Sequence, residues 1–470
     1  MGRQDLDKIA GLGRQTDEYL YKNVSPRFYD RQLHSINPVR RWFHANRYYI
    51  INNLVQGKIY SAKSRIIDLG SGSCDWNING ANVYGVDLNE ELLKLAKSKN
   101  MLVDYTASDI FKAELENESF DIVVASELLE HLPYPGDAVS LIMKLLRPAG
   151  FAVISVPYDT FFSLWRYLFF IQVFLRGYLL NDKYYRKCCG HLHRFSPRLI
   201  KELFLDKGFE VDLIFGMRKL TIFLVVRKKG VLEYRGHDYS DLTIICPTLN
   251  EARNIGQLLM SILSAYKDAK IIVSDDGSSD GTAMFVKELN NPNVFFLDRK
   301  DMVVHGLCVS VLDAIQLVKT KYFIVLDADG QHPADKIHDI VNALRLGRKL
   351  VVASRVGVNG SWPLRRKLVS YLGTFLGKGI FLLRGNPYFS YDILSGFFGA
   401  ERSFWDESVY LNNQFRRFRL KGYKVLFDFL KSMPRNVDFA EVYYKFGARE
   451  NGGSKINYRV CWEYIKSVFS

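Results

Sequence analysis

Short apolar runs alternate with amphipathic segments along most of the chain, and the alternation occurs twice. The first series follows a basic and aromatic helical segment at Pro38–Gln56 and extends from Arg65–Gly70 to Phe151–Pro157. The second series begins at Leu242–Pro247 and extends to Lys349–Arg355. Alternating strand and helix patterns are typical of α/β domains with largely parallel sheets. The sequence therefore predicts two such domains in series.

Further elements fit between these limits, and a polar segment separates the two series. The additional strands are predicted at Val83–Asp87, Phe120–Ser126, Lys270–Asp275, Val294–Asp298 and Tyr322–Asp329, with a helix at Asn89–Lys99. Residues 231–241 lack periodicity and are predicted to form a linker. The predicted organisation is a helical leader over residues 1–60 that packs on the first domain, a first domain over 61–230 and a second domain over 242–470.

Composition narrows the class of protein. Of 470 residues, 48% are hydrophobic and 24% are charged, which excludes disorder over most of the length. The six cysteines form no CxxC pair, so a reducing compartment is expected, and the N-terminus shows no apolar core of a signal peptide. The net charge of +14 favours an anionic partner. No nucleic-acid-binding motif accompanies it, so a nucleic-acid partner is disfavoured.

Glycines and carboxylates mark the strand ends of the first domain. DLGSGS at Asp68–Ser73 follows the first strand, and Asp87 closes the second. Glycine lets the backbone approach a ligand, and an acidic residue at the second strand end can hydrogen-bond ribose hydroxyls. Together with the stretches Phe120–Pro157 and Gly190–Val211, this pattern over residues 40–228 resembles the class I S-adenosylmethionine-dependent methyltransferases.

The resemblance implies S-adenosylmethionine as a cofactor. It assigns Asp68, Gly70 and Gly72 to the methionine end, Asp87 to the ribose, Asp109 to the adenine and Glu127 to the fourth strand end. The sequence departs from the family at Cys74, where a third glycine is usual. Only ten residues, Ser73–Asn82, precede the next strand, too few for a full-length helix. Two interpretations therefore stay open, an active methyltransferase and a non-catalytic module that binds a lipid or a partner.

Histidines supply further candidate chemistry in this domain. CCGHLH at Cys188–His193 places four metal-binding side chains within six residues, but it lacks the paired loop spacing of structural zinc sites. A loop on the substrate side with core packing is therefore the preferred interpretation. His131 and His193 are candidate general bases for methylating a hydroxyl group.

Three clusters of acidic and turn residues follow strands of the second domain. They are CPTLNE at Cys246–Glu251, SDDGSSDGT at Ser274–Thr282 and DADGQHP at Asp327–Pro333. Parallel strand ends meet at one edge of a sheet, where ligands bind. Carboxylates on a rigid element suit a hard divalent cation, and such a cation can neutralise a diphosphate leaving group.

These clusters, together with DILSGFFGAER at Asp392–Arg402 and FGARENGGSK at Phe446–Lys455, resemble family 2 glycosyltransferases, and within them the dolichol-phosphate mannosyltransferases. The expected fold class is α/β, with two Rossmann-like domains in series: a class I methyltransferase-type sheet and a GT-A type nucleotide-sugar transferase fold. The resemblance implies inverting, metal-dependent transfer of a hexose, first of all mannose from GDP-mannose, to a polyprenyl (dolichyl) phosphate.

Site residues are carried over from that resemblance position by position. The nucleotide sugar is assigned to Pro247, Leu249, Glu251, Ser274, Asp276, Asp327, Ala328, Asp329, Gln331, Arg355, Lys424, Arg449 and Lys455. Mg²⁺ or Mn²⁺ is assigned to Asp327, Asp329 and Gln331, and the lipid phosphate to Arg355 and Arg366. An aromatic residue often occupies the position of Leu249, so the choice of nucleotide stays open.

The segment Phe161–Leu180 predicts membrane contact. Arg166, Gln172 and Arg176 interrupt its apolar run, and no stretch of 18 uncharged apolar residues occurs. On a helix the apolar residues share one half and the three polar residues the other, which predicts an amphipathic helix in the membrane interface, with a buried core helix as the alternative. We therefore expect a cytoplasmic protein attached peripherally to the inner face of a membrane.

Overall fold

The computed structural model describes residues 22, 25, 33–59, 63–181, 183–186, 188–230, 238–358, 364–383, 392–412, 414–434, 437–447 and 458–469. The chain divides into two compact units, residues 1–233 and 234–470. Each unit contains one seven-stranded sheet. The prediction of two α/β domains in series is therefore confirmed, although both sheets are mixed. Most of the predicted leader lies outside the described residues.

The first sheet has the strand order β3-β2-β1-β4-β5-β7-β6. Its strands are Ile66–Leu69 (β1), Val83–Asp87 (β2), Asp104–Ala107 (β3), Phe120–Ser126 (β4), Leu146–Pro157 (β5), Glu210–Met217 (β6) and Thr221–Arg227 (β7). Strands β1 to β5 are parallel, whereas β7 runs antiparallel to both β5 and β6. All of β1 is buried, as expected for a strand covered on both faces.

Helices cover this sheet, and four of them begin at a side chain that caps the helix N-terminus. They are Pro38–Gln56 (α1), Glu90–Ser98 (α2), Pro135–Leu145 (α3), Leu164–Gln172 (α4), Lys183–Arg186 (α5) and Pro197–Leu205 (α6). The Asn37 side chain accepts hydrogen bonds from the amides of Val39 and Arg40, and proline follows at the first helical position. The prediction of a helix at Pro38–Gln56 is confirmed.

No helix connects β1 to β2, as the short spacing predicts. Instead, turns close this crossover, with the Cys74 amide donating to the Ser71 carbonyl at 2.8 Å. The Asn77 side-chain amide donates to the carbonyls of Ala81 and Met101, each at 2.8 Å. These bonds satisfy backbone groups that a helix would otherwise satisfy. The crossover also carries Trp76 into the buried interior.

The second sheet has the strand order β10-β9-β8-β11-β13-β12-β14. Its strands are Leu242–Thr248 (β8), Lys270–Asp275 (β9), Val294–Asp298 (β10), Tyr322–Val325 (β11), Leu350–Val358 (β12), Phe398–Glu401 (β13) and Phe439–Phe446 (β14). Strand β13 lies antiparallel between β11 and β12, and the other neighbours are parallel. The predicted strand Tyr322–Asp329 is too long, because β11 ends at Val325 and the acidic cluster forms a turn.

The helices of the second unit surround this sheet. They are Ala252–Ala265 (α7), Thr282–Glu288 (α8), Leu307–Gln316 (α9), Lys336–Arg345 (α10), Leu364–Leu383 (α11), Arg402–Asp406 (α12), Val425–Ser432 (α13) and Tyr458–Phe469 (α14). Trp405 is fully buried in one core cluster, with its ring centroid 5.5 Å from that of Phe323 and 4.3 Å from that of Phe429. Aromatic packing of this kind contributes beyond the buried area itself.

The last residues of the predicted linker pack on the second sheet. Tyr239 is buried, and its hydroxyl forms a hydrogen bond of 2.5 Å with Nδ1 of His338. The carboxylate of Asp241 pairs with Arg345 at 2.6 Å. This part of the segment therefore belongs structurally to the second unit.

The apolar segment predicted to contact a membrane is helical and exposed. It consists of α4 and a π-helical continuation at Val173–Leu179. No residue of α4 is buried, so the alternative of a buried core helix does not hold. Among the residues that the structure describes, no helix is both long and apolar enough to cross a bilayer.

Candidate active sites

A cavity of about 1560 Å³ opens in the first unit at the carboxyl ends of its parallel strands. All six residues predicted to bind the cofactor line it, namely Asp68, Gly70, Gly72, Asp87, Asp109 and Glu127. Side chains of α1 and α4 line it as well, among them Arg47 and Phe169. Its volume exceeds the usual range for a single small-molecule site, which leaves room for a second ligand.

The glycine-containing turn after β1 requires left-handed backbone. Gly70 has φ of +70° and Gly72 has φ of +50°. A Cβ atom on Gly70 would lie 2.9 Å from Cδ1 of Leu128, so no side chain fits there without a shift. Asp87 holds the turn against β2, because its carboxylate accepts the amides of Gly72 and Asn89, each at 2.8 Å. Cys74 has φ of +50°, a backbone conformation that is unfavourable for residues other than glycine.

Asp68 is a buried carboxylate whose neighbours include the Cys74 thiol and the Trp76 indole. Nε1 of Trp76 donates to its Oδ2 at 2.6 Å, whereas Oδ1 has no hydrogen-bond partner. Burial raises the pKa of Asp68 to about 7, against the lowering effect of the hydrogen bond from Trp76. An orphaned acceptor in the lining of a cavity suits a cationic group of a ligand.

Helix α1 contributes the partner of Glu127. NH1 of Arg47 lies 3.2 Å from Oε2 of Glu127, and the Ser155 hydroxyl donates to Oε1 at 3.0 Å. Burial raises the pKa of Glu127, and the charge of Arg47 opposes that shift. Glu127 also has φ of +53°, a strained conformation at the end of a strand that is frequent at functional sites.

The two histidines predicted as general bases both line the cavity. Nδ1 of His131 lies 3.2 Å from the Gly190 carbonyl, and Nε2 of His193 lies 3.1 Å from the Pro133 carbonyl. Burial lowers the pKa of His131 to about 4, so its imidazole is neutral at pH 7. His191 behaves in the same way, with a pKa lowered to about 3 by burial. Neutral imidazoles retain a nitrogen lone pair for a proton or a metal.

The three clusters of the second unit meet at one edge of the sheet. Strands β9, β8 and β11 are adjacent and parallel, so the loops that follow them are neighbours. Thr248 donates to the carboxylate of Asp275 at 2.7 Å, and the Asn250 amide donates to the Ser278 hydroxyl at 2.7 Å. The Glu251 amide donates to the hydroxyl of Thr282 at 3.0 Å. These bonds join the first two loops into one surface.

The turn after β11 carries the predicted metal ligands. The Gln331 amide donates to Oδ1 of Asp329 at 3.1 Å, and its side chain donates to the Gly447 carbonyl at 3.0 Å. A Cβ atom on Gly396 would lie 2.4 Å from Oδ2 of Asp327, so only glycine leaves room for this carboxylate. Two carboxylates and an amide are a donor set that suits Mg²⁺ or Mn²⁺.

Asp327 is held ionised by its neighbours. Nε2 of His332 lies 3.3 Å from its Oδ2, and Nδ1 of the same imidazole lies 2.7 Å from the Tyr444 hydroxyl. Burial alone would raise the pKa of Asp327, but the His332 hydrogen bond and the charges of Lys424 and Arg355 lower it below the usual value. The carboxylate therefore keeps its charge at neutral pH, as a cation ligand requires.

Two of the residues predicted to bind the nucleotide make hydrogen bonds or ion pairs within the protein. The Ser274 hydroxyl is fully buried and donates to the Ser310 carbonyl at 2.9 Å. The carboxylate of Asp276 pairs with Arg299 and His305, and it accepts the Gly306 amide at 2.7 Å. The polar atoms of Ser274 and Asp276 therefore already bond to the core and the following loop, and their assignment to the nucleoside stays a prediction.

The other predicted nucleotide residues lie at this edge. Pro247 is in β8, and Leu249 in the following loop has a half-exposed side chain. Glu251 accepts a hydrogen bond of 2.7 Å from the Asn254 side chain. Ala328 is buried between the two acidic residues.

The predicted phosphate-binding cations are only partly described. Arg355 makes a two-point contact with Asp392, with NH2 at 3.0 Å from Oδ1, and Lys424 donates to the Leu394 carbonyl at 2.7 Å. Arg366 lies in α11, but its side chain is outside the described residues, as are Arg449 and Lys455. The pairing with Asp392 fixes the plane of the Arg355 guanidinium.

Comparison with known families identifies both units. The family described as methyltransferase domain matches residues 67–154, and glycosyl transferase family 2 matches residues 243–409. These ranges contain the glycine turn and the acidic clusters. The chain carries a methyltransferase domain followed by a family 2 glycosyltransferase domain. It is therefore a transferase.

Relatives of this chain divide in the same way. The glycosyltransferase domain is similar to the dolichol-phosphate mannosyltransferase of Mycosarcoma maydis, with 29% identity over 48% of this chain and 77% of the relative. The enzyme of that name from Pyrococcus furiosus is 30% identical over 48% of this chain and 62% of the relative. The methyltransferase domain is similar to the ubiquinone biosynthesis O-methyltransferase of Hahella chejuensis, with 31% identity over 30% of this chain and 58% of the relative. The chain thus spans little more than half of that relative.

The sequence alone does not identify several residues of the two sites. In the methyltransferase domain they are Arg47, Trp76 and Glu130, and in the glycosyltransferase domain they are Arg299, His332 and Asp392. Several of these residues contact a partner distant in the sequence, as Arg47 contacts Glu127. Glu130, His332 and Asp392 lie inside motifs quoted above, and that position is the signal that could have drawn attention to them.

Proposed function

We propose that the glycosyltransferase domain transfers a hexose, in the first instance mannose from GDP-mannose, to a polyprenyl (dolichyl) phosphate. The observation that supports this is the meeting of Asp327, Asp329 and Gln331 with the loops after β8 and β9 at one edge of the sheet. Lys424 and Arg355 act electrostatically on Asp327, so cations lie beside the carboxylates. Mg²⁺ or Mn²⁺, held by these three residues, would supply positive charge against the diphosphate leaving group.

The proposed acceptor explains why no general base is required. A phosphate monoester has its second pKa near 6, so most of it is already a dianion at neutral pH. The protein needs to orient this nucleophile at the anomeric carbon, which favours inversion there, and to stabilise the departing charge. Arg355, oriented by Asp392, and Arg366 are the residues proposed to receive the phosphate, since arginine matches phosphate oxygens in a two-point contact. Lys424, Arg449 and Lys455 are proposed for the donor diphosphate.

For the methyltransferase domain we propose S-adenosylmethionine-dependent methylation of a related glycan or lipid-linked acceptor. The unpartnered Oδ1 of Asp68 in the cavity lining fits the ammonium group of the cofactor. Gly70 and Gly72 let the backbone approach the methionine end, and Asp87 and Asp109 line the part proposed for ribose and adenine. Glu127, paired with Arg47, also lines the cavity. When bound, the cofactor would supply the activated methyl group.

One observation favours a second candidate for this domain. The helix-free crossover after β1 and the strained Cys74 depart from the pattern of the resembling family. A domain that binds a lipid or partner without catalysis would also use the cavity. Calorimetric titration of the full chain with S-adenosylmethionine separates the two, since the absence of binding at millimolar cofactor would exclude methyl transfer.

A donor screen tests the glycosyltransferase proposal. Purified protein, a polyprenyl phosphate and Mg²⁺ or Mn²⁺ are incubated with GDP-mannose, UDP-glucose or UDP-N-acetylglucosamine, and products are read by mass spectrometry. A sugar-phosphate-lipid product is expected, with GDP-mannose as the donor. If each nucleotide sugar binds but none yields product, the acceptor is not a lipid phosphate, and the assignment of Arg355 and Arg366 fails.

We further propose peripheral attachment to the cytoplasmic face of a membrane through α4 and its π-helical continuation. The predicted segment Phe161–Leu180, which contains both helices, exposes many large apolar side chains, with Phe162 at 75% and Phe174 at 59% exposure, and its Arg176 lines the cavity. Apolar insertion and cationic side chains together favour an anionic bilayer surface.

Flotation with anionic vesicles measures this attachment. The full chain is expected to float with the vesicles, and the double variant Phe162→Glu, Phe174→Glu is expected to lose most of that binding. Phe295→Glu is the matched control, because Phe295 is also exposed but lies in the glycosyltransferase domain. Equal flotation of all three proteins would exclude this segment as the anchor.

A further inference from the structure

Glu130 is a buried carboxylate without a hydrogen-bond partner on either oxygen. Only 1% of its surface is exposed, yet it belongs to the lining of the methyltransferase cavity. An ionised carboxylate is strongly destabilised when it is buried without compensation. Such a group is retained where a ligand or an ion supplies the missing partner. The surroundings of Glu130 indicate which partner that is.

Two imidazoles stand beside this carboxylate. Nε2 of His131 lies 3.8 Å from Oε1 of Glu130, too far for a hydrogen bond. The ring of His191 lies 4.8 Å from that of His131, measured between centroids. One donor atom from each of the three residues lies within 4.8 Å of the other two. This separation suits three groups that share one ion rather than three groups that bond to one another.

The imidazoles are held in place by a second set of contacts. Nδ1 of His131 faces the Gly190 carbonyl at 3.2 Å, so the tautomer with hydrogen on Nδ1 leaves the Nε2 lone pair on the side of Glu130. His191 stacks on Trp165 and Phe169, with centroid distances of 5.5 and 5.3 Å. These contacts orient both rings before any ligand arrives.

Backbone hydrogen bonds tie the two segments together. The amides of Leu192 and His193 donate to the Glu130 backbone carbonyl at 2.7 and 3.1 Å. The loop that carries His191 is therefore fixed against the turn that carries Glu130 and His131. A site assembled from two segments in this way has a defined geometry, which a metal site requires.

The local charge balance also favours a cation. Glu127 and Arg47 both act electrostatically on Glu130, but these two residues pair with each other at 3.2 Å. Burial and the charge of Glu127 raise the pKa of Glu130, and the charge of Arg47 opposes them only in part. Two carboxyl groups beside one guanidinium leave this cluster short of positive charge.

We propose that Glu130, His131 and His191 bind a divalent transition-metal ion of the Zn²⁺ class. Two imidazoles and one carboxylate are a donor set of catalytic zinc sites, and three protein ligands leave coordination positions open. The site faces the same cavity as the residues proposed for S-adenosylmethionine. Resting on the proposed methyl transfer, we infer that the acceptor hydroxyl binds at an open position of this ion.

The proposed methyl transfer needs no reagent besides the acceptor, the cofactor and the ion. The acceptor hydroxyl releases its proton to solvent, its oxygen forms a bond to the methyl carbon, and the carbon–sulfur bond breaks. The sulfonium becomes a neutral thioether, which leaves with the sulfur electron pair. A cation beside the oxygen lowers the pKa of the hydroxyl and so favours the first of these events.

Co²⁺ binding to the full chain tests the site without an activity assay. Imidazole ligation at low coordination number gives Co²⁺ a strong visible absorption band, whereas an all-oxygen site of the kind proposed at Asp327 and Asp329 gives a weak one. The wild-type chain is expected to show the strong band. Glu130→Gln and His191→Ala are each expected to lose it together with one equivalent of bound Co²⁺.

Two controls make this result specific. His193→Ala changes the same loop, and Asp329→Asn changes the other proposed metal site, and both are expected to keep the strong band. Circular dichroism checks that each variant is folded. If Asp329→Asn by itself removes all bound Co²⁺, or if Glu130→Gln and His191→Ala keep the full count, the site is refuted. Titration with S-adenosylmethionine is scored separately, so failure of the metal site and failure of the proposed methyl transfer are distinguishable.

Discussion

Asp329→Asn is expected to lower kcat/KM for glycosyl transfer by about 10²–10³-fold while the domain stays folded. The side chain keeps its size and can still accept the Gln331 amide, which donates to Oδ1 at 3.1 Å. What the variant loses is one negative charge in the turn after β11. Removing a single group that stabilises transition-state charge costs a factor of about 10²–10³ in other enzymes.

The measurement uses GDP-mannose, a polyprenyl phosphate and Mg²⁺ or Mn²⁺ over a range of concentrations. A ligand of the metal should raise the concentration of metal required, so part of the loss should be recovered at high metal. Asp335→Asn is the control, because the Asp335 side chain is 65% exposed and outside the proposed ligand set. Wild-type activity in Asp329→Asn would exclude this acidic turn as the metal site.

Much of the fold can be predicted from the sequence, because the signals for strands and helix ends are local. Strands such as β2, β4 and β9 occur where their apolar runs predict them, and Asn37 followed by Pro38 marks the start of α1. Strand β13 was recognised as a family motif, yet nothing local shows that it inserts antiparallel between β11 and β12. The order of strands depends on long-range pairing, which local periodicity does not encode.

The two sites can be predicted from the sequence only in part, because their side-chain contacts also depend on long-range packing. Glycines and carboxylates at strand ends converge because the topology brings parallel strand ends together, so Asp68 and Asp87 could be placed in one cavity. The neighbouring groups that shift the pKa values of these carboxyls cannot be identified from the sequence. Whether Asp276 faces a ligand or Arg299 depends on a loop closing over it, and the proximity of Glu130 to His191 depends on two separate segments meeting.

The affinity for S-adenosylmethionine is expected to depend on pH through Asp68. Burial raises the pKa of this carboxyl to about 7 in the free protein, and the ionised form is the one that can pair with the ammonium group of the cofactor. Binding is therefore strongest above pH 7 and weakens as the pH falls and the carboxylate takes up a proton. From pH 7.5 to pH 5.5 the ionised fraction of a group with this pKa falls roughly twenty-fold, and Kd should rise by a similar factor.

Calorimetry at several pH values measures this dependence. Two variants test whether Asp68 causes it. Asp68→Asn should bind more weakly at pH 7.5 and should lose most of the pH dependence, because its amide does not titrate. Trp76→Phe should move the dependence to higher pH, since it removes the hydrogen bond of 2.6 Å that stabilises the ionised carboxylate. Wild-type affinity that does not change with pH would show that Asp68 does not pair with the cofactor. The same dependence in Asp68→Asn would place its origin in another carboxyl group of the cavity, and the unpartnered Oδ1 would then need a different ligand.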